Sequence, residues 1–144
     1  MRVLVQRSGK SSVDVYNKTT GKIDNGLVLL VGFTEGDDIE KIKYLAKKVV
    51  NLRIFDDEEG VMNKSILDVG GKILSISQFT LYADTSKGNR PSYINALGGD
   101  KAIHLYDLFN EELKKYIDVE KGIFGAEMTV SITNLGPVTI LLER

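Results

Sequence analysis

Leu27-Val28-Leu29-Leu30-Val31-Gly32-Phe33 is an unbroken apolar run. At this length, with no polar position to face water, it reads as a strand buried on both faces. Upstream, Arg2 to Arg7 alternates weakly and reads as a first strand. Ser12 to Tyr16 places Val13 and Val15 on one face. Asn17 to Gly21 is a turn cluster, and Lys22-Ile23-Asp24 is a short return strand. Asn25-Gly26 is a hairpin signal leading into the apolar run.

Downstream the period changes. Ile42, Leu45, Ala46, Val49 and Leu52 recur at helical spacing. Asp37 is the expected N-cap, with Glu40 three residues later as its capping-box partner. Phe55 to Gly60 forms an acidic turn, and Gly70-Gly71 precedes a strand from Lys72 to Phe79. Ala83 to Gly99 is loop-like, centred on Lys87-Gly88-Asn89-Arg90-Pro91-Ser92. A second helix opens near Asp100, with Ala102, Leu105, Tyr106, Phe109 and Leu113 as its apolar stripe. Met128, Val130 and Ile132 alternate, as do Val138, Ile140 and Leu142, and Asn134 to Pro137 lies between these last two strands. Strands, helix, strand, helix, strands is not the regular βα alternation of a doubly wound sheet. The expected fold is α+β: a mostly antiparallel, barrel-like sheet with two main helices packed on it, in a single domain spanning residues 1–144.

A chain of 144 residues can bury roughly 70% of its unfolded surface, so its core needs no staples. It has no cysteine, which excludes disulfides and thiolate metal sites; no metal and no cofactor is expected. The net charge of −1 gives no global basic footprint, so duplex DNA is not an expected partner, whereas a short single-stranded end or a small molecule is compatible. Met1 to Arg7 lacks the apolar stretch of a signal peptide, and no apolar run approaches the roughly 20 residues that span a bilayer. The expectation is a soluble cytoplasmic protein with no membrane partner.

Familiar catalytic signatures are missing: there is no Gly-x-Ser-x-Gly elbow, no His-Glu-x-x-His and no P-loop. His104, the one histidine, falls nearly opposite the Leu105/Phe109 stripe and reads as exposed. Asp56, Asp57, Glu58 and Glu59 lack EF-hand spacing and read as a solvated turn. Two stretches remain. Ser77-Gln78-Phe79-Thr80-Leu81 ends a strand beside a loop, and its hydroxyls would need a base or a lowered pKa to act as nucleophiles; the sequence offers neither. Asn134-Leu135-Gly136-Pro137-Val138-Thr139 sets Gly-Pro inside a segment that otherwise alternates like a strand. Proline removes a ladder donor and belongs at a turn, bulge or edge, so the dipeptide displays bare backbone carbonyls and points to recognition by main chain. Since only about 5–6% of X–Pro bonds in folded proteins are cis, a trans Gly136–Pro137 bond is expected on that ground alone. Arg7, ending the first strand, has a planar fork suited to pinning a carbonyl or carboxylate. Lys87 and Arg90 read equally well as a solubilising loop and as contacts for a phosphate or two.

Together, Ser77-Gln78-Phe79-Thr80-Leu81 and Asn134-x-Gly136-Pro137-Val138-Thr139 resemble the motif pair of the D-aminoacyl-tRNA deacylases. Gln6-Arg7, Arg53-Ile54-Phe55, Met62-Asn63, Arg90-Pro91-Ser92 and Gly122-x-Phe124 fall in that family's order, so the resemblance covers the whole chain. It implies a small α+β barrel-like fold and a homodimer in which a cis Gly136–Pro137, contrary to the base rate, reaches across the interface into the partner's pocket. The implied substrate is the 3′ end of an aminoacyl-tRNA, hydrolysed when its amino acid is D or glycine, including glycine mischarged on alanine tRNA; L-aminoacyl esters are rejected. The resemblance makes Ser77, Gln78, Phe79 and Thr80 the catalytic motif and assigns Gly136, Pro137, Arg7 and Asn134 to substrate binding. It attributes the chemistry largely to the 2′-hydroxyl of the terminal ribose, which leaves the N–H groups around Phe79 and Thr80 as candidate oxyanion donors. Two alternatives stand beside it. One is a relative that edits L-alanine on threonine tRNA, against which Arg7 argues; the other is a non-catalytic module binding RNA 3′ ends.

Overall fold

The structure is a computed structural model describing residues 1–144. Its strands are β1 (Arg2–Ser8), β2 (Ser11–Val15), β3 (Lys18–Ile23), β4 (Gly26–Gly32), β5 (Phe55–Asp56), β6 (Met62–Lys64), β7 (Lys72–Ser77), β8 (Val119–Lys121), β9 (Thr129–Ser131) and β10 (Asn134–Glu143). Its helices are α1 (Ile39–Asn51), the single turn α2 (Ile66–Val69) and α3 (Gly99–Lys114). No helix is long and apolar enough to cross a membrane.

The apolar run is β4, at the centre of a five-stranded sheet ordered β10-β1-β4-β7-β8. Side chains alternate across a strand. Leu27, Leu29 and Val31 therefore meet Ile42, Leu45 and Val49 of α1 and Tyr106, Phe109 and Leu113 of α3. Val28 turns to the other side and joins Leu74 and Ile76 of β7, Val13 and Ile23. Those last two belong to a second sheet, β3-β2-β9. Three layers result, helices, large sheet and small sheet, and β4 is buried on both faces as its composition requires. Each such Val, Leu or Ile contributes about 1.5–3 kcal/mol relative to exposure.

Pairing is mostly antiparallel, with parallel contacts of β7 to β4 and to β8. The fold is thus α+β as expected, but no barrel closes, because the two sheets keep separate hydrogen-bonded ladders. Asn25-Gly26 is not a hairpin turn: β3 and β4 lie in different sheets, and the dipeptide carries the chain between them. Gly26 takes φ 137°, and a Cβ there would stand 1.9 Å from the Lys72 carbonyl oxygen. The hairpin turn lies earlier, at Tyr16-Asn17 (φ 49° and 61°), so β3 already begins at Lys18 and Lys22-Ile23 is only its end. Thr19 and Thr20, counted among the turn residues, have β-branched side chains that suit a strand.

Asp38, not Asp37, caps α1, accepting from the Lys41 N–H at 2.9 Å. Asp37 is occupied elsewhere: its carboxylate accepts from the Met1 amine (2.6 Å) and the Thr34 N–H (2.8 Å), with no exposed surface left. The Lys72–Phe79 strand ends two residues early, at Ser77, and a 3₁₀ turn follows over Phe79–Tyr82. The Gly-Pro segment lies inside β10, not between two strands.

Tyr106 ties helix layer to sheet. Its buried hydroxyl donates to the Ser75 carbonyl at 2.8 Å, and burial raises its pKa. Tyr106→Phe leaves that carbonyl with the Gly122 N–H alone, at 3.2 Å. The variant should lose about 1 kcal/mol of stability in urea titrations, with an unchanged slope.

Candidate functional site

Parallel β4 and β7 end side by side, and a cavity of about 290 Å³ opens at their carboxyl ends. Val31, Gly32 and Phe33 line one wall and Ile76, Ser77, Gln78 and Phe79 another, with Phe124 to Ala126, Met128 and Val130 opposite. No lining residue is ionisable; the Ser77 hydroxyl and the Gln78 amide are its polar side chains. The Gln78 N–H donates to the Val31 carbonyl at 2.7 Å, locking the two strand ends together.

Gln78 then leaves strand geometry (φ −146°, ψ 84°) and the chain folds into the 3₁₀ turn. Gly32 makes this possible. A Cβ on it would lie 2.9 Å from the Gln78 carbonyl oxygen and 3.3 Å from side-chain atoms of Leu81 and Tyr82. Gln78 gives the turn no side-chain cap, so its leading N–H groups, on Phe79 and Thr80, have no partner within the turn. The Thr80 hydroxyl accepts from the Gln78 side-chain amide and does not line the cavity. Arg2 holds the far end: Nη1 donates to the Leu81 carbonyl (2.7 Å), Nε to Glu143 (2.5 Å), and the guanidinium stacks 4.6 Å from the Tyr82 ring centre. Burial pushes the Tyr82 phenol up to about 12, with Asp37 acting in the same direction, so Arg2 stacks on a neutral ring.

The second motif is a bulge. Gln6 pairs with Thr139 and Ser8 with Asn134, so Arg7 alone stands opposite Leu135 to Val138. The surplus residues lift Gly136-Pro137 out of the ladder, where proline's missing donor costs no sheet bond. The Gly136–Pro137 bond is cis, against the base-rate expectation and as the resemblance implied. Asn134 braces the bulge. Its amide donates to the carbonyls of Arg7 (3.1 Å) and Val138 (3.0 Å), while its oxygen accepts from Gln6 (3.1 Å) and Thr139 (3.1 Å). That uses every hydrogen bond the amide can make, so within this fold Asn134 serves the bulge itself. Arg7 donates from Nε to the Leu135 carbonyl (3.3 Å) and from Nη1 to the Ile54 carbonyl (3.0 Å) and to Asp56 (3.3 Å). Its side chain is only 15% exposed.

The candidate residues thus form two groups. Ser77, Gln78 and Phe79 line the cavity; Arg7, Asn134, Gly136 and Pro137 build the bulge and do not. His104 is exposed on α3 and does not line the cavity. Sequence reasoning missed Gly32 and Arg2. For Gly32 a signal existed, since a glycine inside a strand of bulky residues marks a close backbone approach. Arg2 carried none.

A family model described as D-Tyr-tRNA(Tyr) deacylase matches residues 4–143. A solved structure described as c-Myc DNA Unwinding Element Binding Protein is 38% identical, covering 100% of this chain and 99% of its own, with a TM-score of 0.95. Another, described as a structural analysis of a probable eukaryotic D-amino acid tRNA deacylase, is 18% identical over 98% of this chain and 97% of its own; its TM-score of 0.83 shows a shared fold. With the family match running over nearly the whole of this α+β chain, the protein belongs to the D-Tyr-tRNA(Tyr) deacylase family, hydrolases of aminoacyl-tRNA esters.

Proposed function

We propose that this deacylase removes D-amino acids and glycine from the 3′ end of tRNA, using the tRNA's own terminal 2′-hydroxyl. One observation carries the reading: the cavity has no acid or base. Hydrolysis needs a proton acceptor near the attacking water and a donor for the leaving 3′-oxygen. An aminoacyl ester supplies both through the vicinal 2′-hydroxyl, and its α-ammonium already activates the carbonyl. Water adds to that carbonyl, charge collects on its oxygen, and the C–O bond to the ribose breaks, giving free amino acid and a 3′-hydroxyl. The protein's share is to hold the ester and receive the charge. The N–H of Phe79, which lines the cavity and has no partner in its own turn, is the donor for that oxyanion. A preorganised donor of this kind is responsible for roughly 3–4 kcal/mol of barrier reduction.

Handedness is screened by main chain. Leu135, Gly136 and Pro137 are exposed and lie outside the cavity of their own chain. In a homodimer the bulge of one subunit enters the cavity of the other, its carbonyls accepting from the substrate ammonium and filling the space an L side chain needs. Glycine has nothing to exclude and passes. The place of action is the cytoplasm, where tRNA is charged. The DNA binding in the name of the 38%-identical structure is not adopted, because the net charge of −1 offers no footprint for duplex phosphates.

Purified protein should cleave D-tyrosyl-tRNA and glycyl-tRNA and spare L-tyrosyl-tRNA; comparable cleavage of the D and L esters would end the proposal. A D-aminoacyl-tRNA ending in 2′-deoxyadenosine should turn over at least 100-fold more slowly in single-turnover assays, in the range typical of losing general acid–base help. In Gly136→Ala the new Cβ would stand 2.9 Å from the Val138 nitrogen and 3.1 Å from Arg7 Nη2. Because the bulge must shift to admit it, the ratio of D to L cleavage should fall by about tenfold or more, the factor that corresponds to about 1.4 kcal/mol.

A further inference from the structure

The segment between the 3₁₀ turn and α3 has no part in the reaction above, yet it builds a defined surface beside the cavity. Asp84 and Ser92 exchange backbone hydrogen bonds in both directions, at 2.8 and 2.9 Å, closing a hairpin. Its tip presents Lys87 and Arg90, both exposed. Neither enters any of the protein's ion pairs. Asp84, at the neck, accepts from the Ser86 N–H at 2.9 Å, and Ser86 holds its carboxyl below the usual carboxylate range.

Tyr93 follows directly. Its ring packs edge-on against Phe79, 5.0 Å between centres at 73°. Tyr93 is nevertheless 42% exposed and Phe79 55%. The backbone beneath is fixed: Thr34 Oγ1 donates to the Asn95 carbonyl (2.6 Å), the Ala96 N–H to that of Tyr93 (2.9 Å) and the Leu97 N–H to that of Phe33 (2.9 Å). Phe79 and Leu97 also line the cavity, so the exposed aromatic surface is continuous with it. Two adjoining half-exposed rings on an anchored backbone, with two unpaired cations on the hairpin that leads into Tyr93, combine the elements that hold single-stranded nucleic acid: π-faces for bases and positive charge for phosphates.

We propose that Tyr93, with Phe79 at its edge and Lys87 and Arg90 on the hairpin, is a subsite for the nucleotides immediately 5′ of the aminoacylated terminal one. The inference rests on the aminoacyl-ester reading of the cavity. About 290 Å³ has room for the acylated end alone, so the preceding nucleotides must cross its rim; Phe79, on that rim, carries the stacking surface into Tyr93, and the cationic hairpin comes just before Tyr93 in the chain.

The test compares D-tyrosyl esters of adenosine, of the trinucleotide CCA and of whole tRNA. The subsite makes wild-type protein prefer the trinucleotide to the adenosine ester by about tenfold in kcat/KM, through KM, as expected for one stacked base. Tyr93→Ala should erase that preference and Tyr93→Phe keep it. Lys87→Gln and Arg90→Gln should each flatten the log–log salt dependence for tRNA by about 0.7. Equal use of adenosine and trinucleotide esters by wild-type protein overturns the proposal, as does a Tyr93→Ala variant with the wild-type preference. So does dissociation of a dimer by Tyr93→Ala in sedimentation with the preference intact, which would make this face a contact between copies. Fluorescence polarisation with uncharged CCA tests the subsite apart from the chemistry. Binding lost in Tyr93→Ala supports it even if no ester is cleaved, an outcome that would sink the deacylase reading alone; binding equal in both proteins overturns it.

Discussion

Burial of β4 on both faces is the constraint from which the remaining architecture follows. A strand covered on one side by α1 and α3 and on the other by the small sheet has no tolerance for a shift of one residue, since that would exchange the sets of side chains bound for the two layers. Its register against β1 and β7 is thereby set at once. Because β7 runs parallel to it, the two strands finish at the same end of the molecule. Ser77 pairs with Val31, and the Gln78 N–H closes on the same carbonyl-bearing residue. Ligand sites gather at the carboxyl ends of parallel strands in open α/β sheets, where diverging chains leave a crevice. This small parallel element, inside an otherwise antiparallel protein, produces the same effect.

What could be read from the sequence was what depends on neighbours a few residues away. The apolar run, the 3.6-residue stripes of Ile42 to Val49 and Ala102 to Leu113, and the misfit of Gly-Pro within an alternating strand are local patterns, and each corresponds to a real element. Errors arose where a distant partner decided the outcome. Asn25-Gly26 has hairpin chemistry, but Lys72 occupies the space beside it and β3 is drawn to the other sheet. Asp37 has the side chain of an N-cap, but the Met1 amine claims it and Asp38 takes its place. Barrel closure is likewise a question of whether two ladders merge, which no local pattern encodes. In the site, the two motifs were assigned by their resemblance to a family rather than by their own chemistry, whereas Arg2 acts from 79 residues away through the Leu81 carbonyl.

A cavity without acid or base restricts what its protein can do unaided. Preorganised backbone donors stabilise developing charge at no reorganisation cost, but they do not move protons. Chemistry at such a site fits a substrate whose reacting bond already sits beside a hydroxyl and an ammonium group. Selection among substrates then depends on shape, and shape made of side chains discriminates weakly, about 1–3 kcal/mol per methylene, because rotamers yield.

The bulge has a construction that resists such yielding. Arg7 is tied to the start of the bulge twice over, once to Asn134 and once to Leu135. The Arg7 carbonyl accepts from the Asn134 amide, while the Arg7 guanidinium donates to Leu135, the next residue along. One side chain thus holds the backbone of β1 and the other the backbone of the bulge. Ile54 and Asp56 fix the guanidinium from a different part of the chain, and Thr139 comes within 3.2 Å of the Pro137 carbonyl. In a network of this kind each bond holds its neighbours in the geometry that strengthens them, so the loss of one member costs more than its own bond. The carbonyls at Gly136 and Pro137 are therefore presented on a frame as stiff as the sheet edge carrying it. If the bulge screens handedness as proposed, it needs that stiffness, because a wall that gave way by an ångström would admit an L side chain.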